Sequence, residues 1–337
     1  MIQPSVEFYA PSRSIHRTMF VACPCGITNS AFNPACVACG APISESGGHL
    51  AARVTLGLGP AAARVGDVIG DYVLGEMLGA GSLGRVFRAV PMTRGQTPVA
   101  IKVLHPHLLE QPDARMRFLR EARALAEVRH RSIGRILDVI ESADVPALVL
   151  ELYTAPSLRD VLKRKKVLAP RACGSILREM AEALGVLHAS NWLHRDIKPE
   201  NILVFDADSP SPRDLRLLDF GLARSLEISS ESVRTAAGVF VGSLAYASPE
   251  QIFGEDLGPS TDWWSVGVVA YEMLVGRRPF DATTRSAIAR DILRGELVVP
   301  ESVPSVVRAL VSRLLRKNPK ERPGDWREVV ALLTPLS

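Results

Sequence analysis

Three glycines punctuate the run Gly79-Ala80-Gly81-Ser82-Leu83-Gly84, and the segments on either side read as strands. A glycine-rich turn of this kind lets backbone N–H groups approach a phosphate with no side chain in the way. The spacing alone also fits a dinucleotide site or a plain tight turn. A dinucleotide fingerprint opens a helix, however, and this run lies between two strands. Next, Val99-Ala100-Ile101-Lys102 ends an apolar strand on a charge. Such a lysine either snorkels to water or keeps its ammonium for an anion. Glu121, in the helical stretch that follows, offers a carboxylate that can hold the Lys102 ammonium in place to meet phosphate oxygens.

A second chemical cluster lies near the N-terminus. Cys23-Pro24-Cys25-Gly26 and Cys36-Val37-Ala38-Cys39-Gly40 place four thiols within 17 residues. Four thiolates satisfy tetrahedral zinc, and a glycine after a cysteine permits the tight turn of a metal-binding knuckle. The pairs resemble the two knuckles of a zinc ribbon, though the first has one intervening residue where two are usual. A disulfide pair, free thiols and an iron–sulfur site remain open alternatives. With no open ligand position for catalysis, the module is expected to be structural and to meet a regulatory partner. Cys173 stands alone in a helical pattern and reads as core.

These groups need a scaffold. Of the 337 residues, 47% are hydrophobic and 23% charged, enough to bury a core. The net charge of +4 is small and gives no reason to expect nucleic acid as a partner. The basic run Lys163–Lys166 reads as a solvated helix face. No segment reaches the roughly 18 unbroken apolar residues of a membrane span, and the N-terminus lacks a signal-peptide core. Trp263 to Val275 reads as a buried helix, and a cytoplasmic protein is the expectation.

The chain divides into an irregular start (1–18), the cysteine module (19–43), a Gly/Ala-rich linker (44–70) and a long remainder from Asp71. Strands are expected over Tyr72–Leu78, Arg85–Val90, Val99–Leu104, Ile136–Glu141 and Ala147–Leu150. A helix is expected over Asp113–Val128, with Met116, Leu119, Ala122, Leu125 and Ala126 on its buried face. A second helix starts at Pro170 and runs to Ser190, two short strands follow around Ile202–Val204 and Leu215–Leu218, and helices dominate from Pro249 to Leu333. Strands first and helices after give an α+β fold with two lobes.

The decisive run is His194-Arg195-Asp196-Ile197-Lys198-Pro199-Glu200-Asn201, followed 18 residues after Asn201 by Asp219-Phe220-Gly221. With the glycine run, Lys102, Glu121 and Ser248-Pro249-Glu250, the order and spacing resemble the eukaryotic-like serine/threonine protein kinases over residues 71–335. The triplet departs from that family's usual Ala-Pro-Glu. The resemblance implies a two-lobed kinase fold and ATP-dependent phosphoryl transfer to serine or threonine hydroxyls of proteins.

It also implies roles. Gly79, Gly81 and Gly84 would cover the nucleotide, with Val86 and Ala100 around it and Leu150 as gatekeeper. The backbones of Glu151 and Tyr153 would bond the adenine edge, and Lys102, partnered by Glu121, would hold phosphates. Asn201 and Asp219 would chelate Mg2+, with Mn2+ as a substitute. Asp196 would accept the substrate proton, and Lys198 would neutralise the transferring phosphate. Glu250 and Arg322 would form a buried ion pair, and Asp262 would brace the turn before Asp196.

The Lys198 loop and the pair Gly242-Ser243 look like the serine/threonine form. Arg195 would pair with a phosphate in the activation segment, where Thr235 is the first candidate for autophosphorylation. Glu200 could meet a basic residue of the substrate. The alternative reading is a pseudokinase or nucleotide-binding signalling scaffold.

Overall fold

The computed structural model describes residues 20–22, 28–30, 63–80, 84–93, 97–105, 112–141, 146–220 and 244–333. Cys23, Cys25, Cys36 and Cys39, and with them the expected zinc module, lie outside these residues. So do Gly81 and residues 221–243 of the activation segment, with Thr235. The backbone of a small antiparallel hairpin, β1 (Phe20–Ala22) and β2 (Thr28–Ser30), brackets the first cysteine pair, with Ala22 opposite Thr28.

The first lobe is a six-stranded antiparallel sheet. In chain order its strands are β3 (Val68–Ile69), β4 (Tyr72–Ala80), β5 (Gly84–Pro91), β6 (Val99–Leu104), β7 (Ile136–Ile140) and β8 (Ala147–Glu151), and they lie side by side as β3-β4-β5-β6-β8-β7. All six residues of β6 are buried, as befits a central strand covered on both faces. One face carries a small core of Leu74, Phe87, Ala89, Ile101 and Val149. Residues just ahead of Asp71 also join this sheet. Gly66 donates to the Leu74 carbonyl at 2.7 Å and Leu74 to that of Asp67 at 2.8 Å, which zips the incoming chain onto the sheet edge.

Helix α1 (Pro112–Ala126) packs against β7. Phe118, Leu119, Ala122 and Leu125 are buried, but Met116 is 69% exposed, against the expectation. At about 100° per residue Met116 lies about 130° from the centre of that face, and Phe118 fills its place.

The second lobe is helical: α2 (Leu158–Lys165), α3 (Pro170–Ala189), α4 (Pro249–Phe253), α5 (Pro259–Val275), α6 (Arg285–Arg294), α7 (Ser305–Leu314) and α8 (Trp326–Leu333), with a two-stranded sheet of β9 (Ile202–Val204) and β10 (Leu215–Leu217). Every residue of α5 from Thr261 to Met273 is buried. A helix covered on every side belongs at the centre of a domain, and Trp263, Trp264 and Tyr271 are fully covered there. Each such side chain contributes about 1.5–3 kcal/mol. Pro259 starts the helix, and Gly276, at φ +77°, ends it in a left-handed cap. Gly185 of α3 lets α8 close in, since an added Cβ would stand 2.3 Å from Trp326 Cδ1. Cys173 is completely buried in α3, where desolvation pushes its thiol pKa up. No described helix is long and apolar enough to cross a membrane.

Candidate active site

The site has a floor and a roof. The floor begins at Asp262, in the first turn of α5 and fully buried. One carboxylate oxygen accepts the His194 amide at 2.9 Å and His188 Nε2 lies 2.8 Å from it. The other oxygen accepts the Arg195 amide at 2.8 Å. Burial alone would raise the Asp262 pKa, but the His188 bond, nearby histidine charge and the backbone donor hold it below the usual carboxylate range. This clamp fixes a turn in which Arg195 sits at φ +63°, a conformation that costs a residue with a Cβ roughly 1–2 kcal/mol.

The turn delivers Asp196. Its Oδ2 accepts Lys198 Nζ at 2.7 Å and Asn201 Nδ2 at 3.0 Å, and Asn201 Nδ2 also reaches the Asp196 carbonyl at 2.9 Å. With its nitrogen so committed, the Asn201 amide oxygen has no hydrogen bond among the described residues. Leu218 donates its amide to the Asn201 carbonyl at 2.8 Å and so sets Asp219 beside the same turn. Asp219 is at φ +58°.

Behind these groups His194 and Phe220 pack ring to ring at 5.0 Å. Both His194 nitrogens are buried without a partner among the described residues, and desolvation lowers the pKa. The neighbouring platform is locked as well. Glu250 and Arg322 form a two-pronged pair at 2.7 and 2.9 Å, with side chains 3% and 0% exposed. Ser248 caps α4 through a reciprocal bond with Gln251, whose Nε2 also reaches the Arg195 carbonyl at 3.2 Å.

The roof is the sheet face opposite the small core. Antiparallel register puts Val86 opposite Lys102 and Ala100 opposite Leu150, and alternation along β6 puts Ala100 and Lys102 on one side. Val86, Ala100, Lys102 and Leu150 therefore share a face. The Glu151 amide donates to the Arg135 carbonyl at 3.0 Å, and the Tyr153 hydroxyl sits between Glu151 Oε2 at 2.9 Å and the Arg135 amide at 3.2 Å. The two described glycines of the loop differ. A Cβ on Gly84 would stand 1.9 Å from the Val103 carbonyl oxygen, whereas one on Gly79 would meet nothing within 4 Å. Packing demands the first; the second leaves open space.

Lys102 joins roof to floor, its Nζ lying 2.7 Å from Asp219 Oδ1. Burial would raise the Asp219 pKa, but the Lys102 charge and hydrogen bond hold it below the ordinary value. This departs from the expected Lys102–Glu121 pair. Glu121 is half-buried on α1 and makes no ion pair with Lys102 among the described residues. The ammonium bonds the carboxylate brought to hydrogen-bond distance, and here that one comes from the other lobe.

Sequence reasoning missed Arg159, in the first turn of α2. Its Nε donates to Glu200 Oε1 at 2.8 Å and its Nη1 to Glu272 Oε1 at 2.6 Å, while Nη2 bonds the Tyr246 hydroxyl. No local pattern announces it, because its partners lie 41, 113 and 87 residues away in sequence. His188 was missed for the same reason.

Residues 72–332 match the family described as the protein kinase domain. The chain is 38% identical over 262 residues to serine/threonine-protein kinase pkn2 of Myxococcus xanthus, covering 76% of this chain and 31% of that protein. It is 34% identical over 264 residues to serine/threonine-protein kinase PkaA of Streptomyces coelicolor, covering 75% and 48%. It is 33% identical over 259 residues to serine/threonine-protein kinase PknL of Mycobacterium tuberculosis, covering 75% and 62%. The chain thus spans less than two thirds of each of these relatives.

Proposed function

The chain belongs to the protein kinase family, and from that premise we propose that it transfers the γ-phosphate of ATP to serine and threonine hydroxyls of protein substrates. The observation that carries this reading is the convergence of Asp196, Lys198, Asn201, Asp219 and Lys102 between one sheet face and one clamped turn. Phosphoryl transfer asks for alignment and charge neutralisation more than for covalent work by the protein.

In this reading the Asp196 carboxylate takes the proton of the attacking hydroxyl. The hydroxyl oxygen bonds the γ-phosphorus, and the bond from that phosphorus to the bridging oxygen breaks to leave ADP. Lys198, already on Asp196, is placed to balance charge on the transferring group. Lys102 holds the other phosphates, with Glu121 as its alternative partner once the nucleotide claims Asp219. The Asn201 amide oxygen and the Asp219 carboxylate form the hard-oxygen set that suits Mg2+ or Mn2+. The metal, when bound, neutralises phosphate charge. Gly79, Gly81 and Gly84 cover the phosphates, Val86 and Ala100 enclose the base, and the backbones of Glu151 and Tyr153 recognise its edge.

The test is transfer of labelled γ-phosphate from ATP to a generic protein substrate, followed by phosphoamino-acid analysis. Label should appear on serine and threonine with wild type, and should be lost with Asp196→Asn and Lys102→Met. A wild-type protein that binds ATP with Mg2+ or Mn2+ yet transfers nothing would be a nucleotide-binding scaffold instead.

Two subsidiary proposals go with this reading. Autophosphorylation at Thr235 raises activity through Arg195, whose Nε is buried without a partner among the described residues. Mass spectrometry of wild type against Asp196→Asn tests it, and equal phosphate on both proteins refutes it. Zinc held by Cys23, Cys25, Cys36 and Cys39 builds a module for a regulatory partner. The position of the first pair between two paired strands supports this, and metal analysis of the purified full chain, with and without Cys→Ser changes, tests it.

A further inference from the structure

Beside the catalytic turn lies an acidic pocket that the protein has filled with its own arginine. Glu272, on the central helix α5, is buried, and Glu200 stands at the catalytic turn with 47% of its side chain exposed. Between them sits the Arg159 guanidinium, 22% exposed, with three of its nitrogens engaged. Glu272 is also bonded by the Tyr246 hydroxyl at 2.6 Å. Tyr246 precedes the Ser248-Pro249-Glu250 platform, and its carbonyl is held by Ser265 at 2.9 Å. The pocket therefore has one wall on the catalytic turn, one on the central helix and one on the platform.

Its distance from the chemistry is short. Asn201, bonded to Asp196 Oδ2 at 3.0 Å, is the next residue after Glu200. Consecutive Cα atoms are about 3.8 Å apart, and an extended peptide advances roughly 3.4 Å per residue. A substrate side chain two or three positions from the acceptor hydroxyl thus reaches Glu200. Two carboxylates at this place would select a basic residue, because a guanidinium pairs with carboxylates through fixed, parallel donors. The sequence alone suggests that outcome for Glu200. In the structure that recognition chemistry is already satisfied from within.

We propose that Arg159 is a specificity-determining residue: it occupies the Glu200–Glu272 pocket in place of a substrate arginine, and so makes the cleft indifferent to basic residues near the acceptor. The inference rests on the kinase reading above. Removing the Arg159 head leaves Glu272 buried with only a tyrosine hydroxyl for a partner among the described residues, an uncompensated charge that an incoming guanidinium would relieve.

The experiment compares peptides bearing one serine and a single arginine at each nearby position on either side, against the same peptides with alanine there. The readout is the ratio of kcat/KM for the arginine to the alanine peptide, which does not depend on the fraction of folded enzyme. Wild type should give ratios within about threefold of one. Arg159→Ala should raise the ratio at one position by about 10- to 100-fold, as expected for a charged hydrogen-bonded contact. Arg159→Met, which keeps the alkyl stem for packing, should do the same, and adding Glu200→Gln should cut the gain.

A wild type that already favours arginine tenfold near the acceptor overturns the proposal. So do Arg159→Ala and Arg159→Met enzymes that transfer phosphate with unchanged ratios, and either result leaves the kinase reading intact. A wild type that phosphorylates no peptide or protein overturns both.

Discussion

The floor and the roof of the cleft are built on opposite plans. Under the turn that carries Asp196, Asp262 accepts two backbone amides and meets His188, Glu250 and Arg322 close a buried two-pronged pair, and Gln251 ties the Ser248-Pro249-Glu250 segment to the Arg195 carbonyl. Each of these groups has several partners and no water to turn to, so the arrangement has one low-energy solution. Above it, among the described residues, Lys102 is held to Asp219 by a single bond, Asp219 is 39% exposed at the side chain, and Glu121 makes no ion pair with Lys102. That contact can be exchanged for another carboxylate or for phosphate at small cost. The floor stores stability and the roof stores adaptability, so changes in the floor should be read in unfolding and changes in the roof in phosphate transfer.

The hardest test of that division is Glu250→Ala. Stranding a buried Arg322 should cost about 3–5 kcal/mol in denaturant unfolding. A loss under 1 kcal/mol would mean the floor is not over-determined. Next, Lys102→Met should lower phosphate transfer about 100- to 1000-fold while shifting the unfolding midpoint much less than Glu250→Ala. A comparable loss of stability would erase the contrast.

Gly185→Ala, far from the chemistry, forces a Cβ into Trp326 and should cost about 1–3 kcal/mol of stability. The kcat of the folded fraction should stay unchanged. Glu121→Gln should alter stability by less than about 0.5 kcal/mol, since no ion pair with Lys102 is lost, yet should still reduce transfer if Glu121 receives Lys102 when ATP binds.

The pH dependence sharpens the same comparison. Burial raises the Glu250 pKa, but the Arg322 bond and charge lower it more, leaving it below the ordinary 4.5. A carboxyl whose folded pKa is depressed contributes stability that is present above its unfolded value and lost as pH falls through the folded one. The wild type should therefore lose stability steadily below about pH 4.5, and Glu250→Gln should flatten that acid limb in a pH series of melting curves.

Much of the molecule was legible in its residues. The strands around Ile101 and Val149, the helix of Ile176, Met180, Leu184 and Leu187, and the largely apolar Trp263 helix follow from local patterning, because a chain must hide each such face somewhere. The polar groups that meet in the cleft were legible too, since Asp196, Asn201, Asp219 and Lys102 stand at telling spacings. Met116 was misplaced because a three-residue step from Leu119 fits the helical period while the real face is centred elsewhere. Of the short helix α2, the solvated basic face at Lys163–Lys166 was legible, while Arg159 in its first turn was not.

By itself the sequence determined which groups are present and which elements carry them: the glycine loop, Lys102 on a strand, Asp196 on a turn and Asp262 opening a buried helix. Only the tertiary structure decided the pairings. Lys102 takes Asp219 over Glu121, and Arg159 takes Glu200 and Glu272. A charge's partner is chosen by distance in space, which loops of any length can bring to hydrogen-bond range, and no local periodicity records that choice.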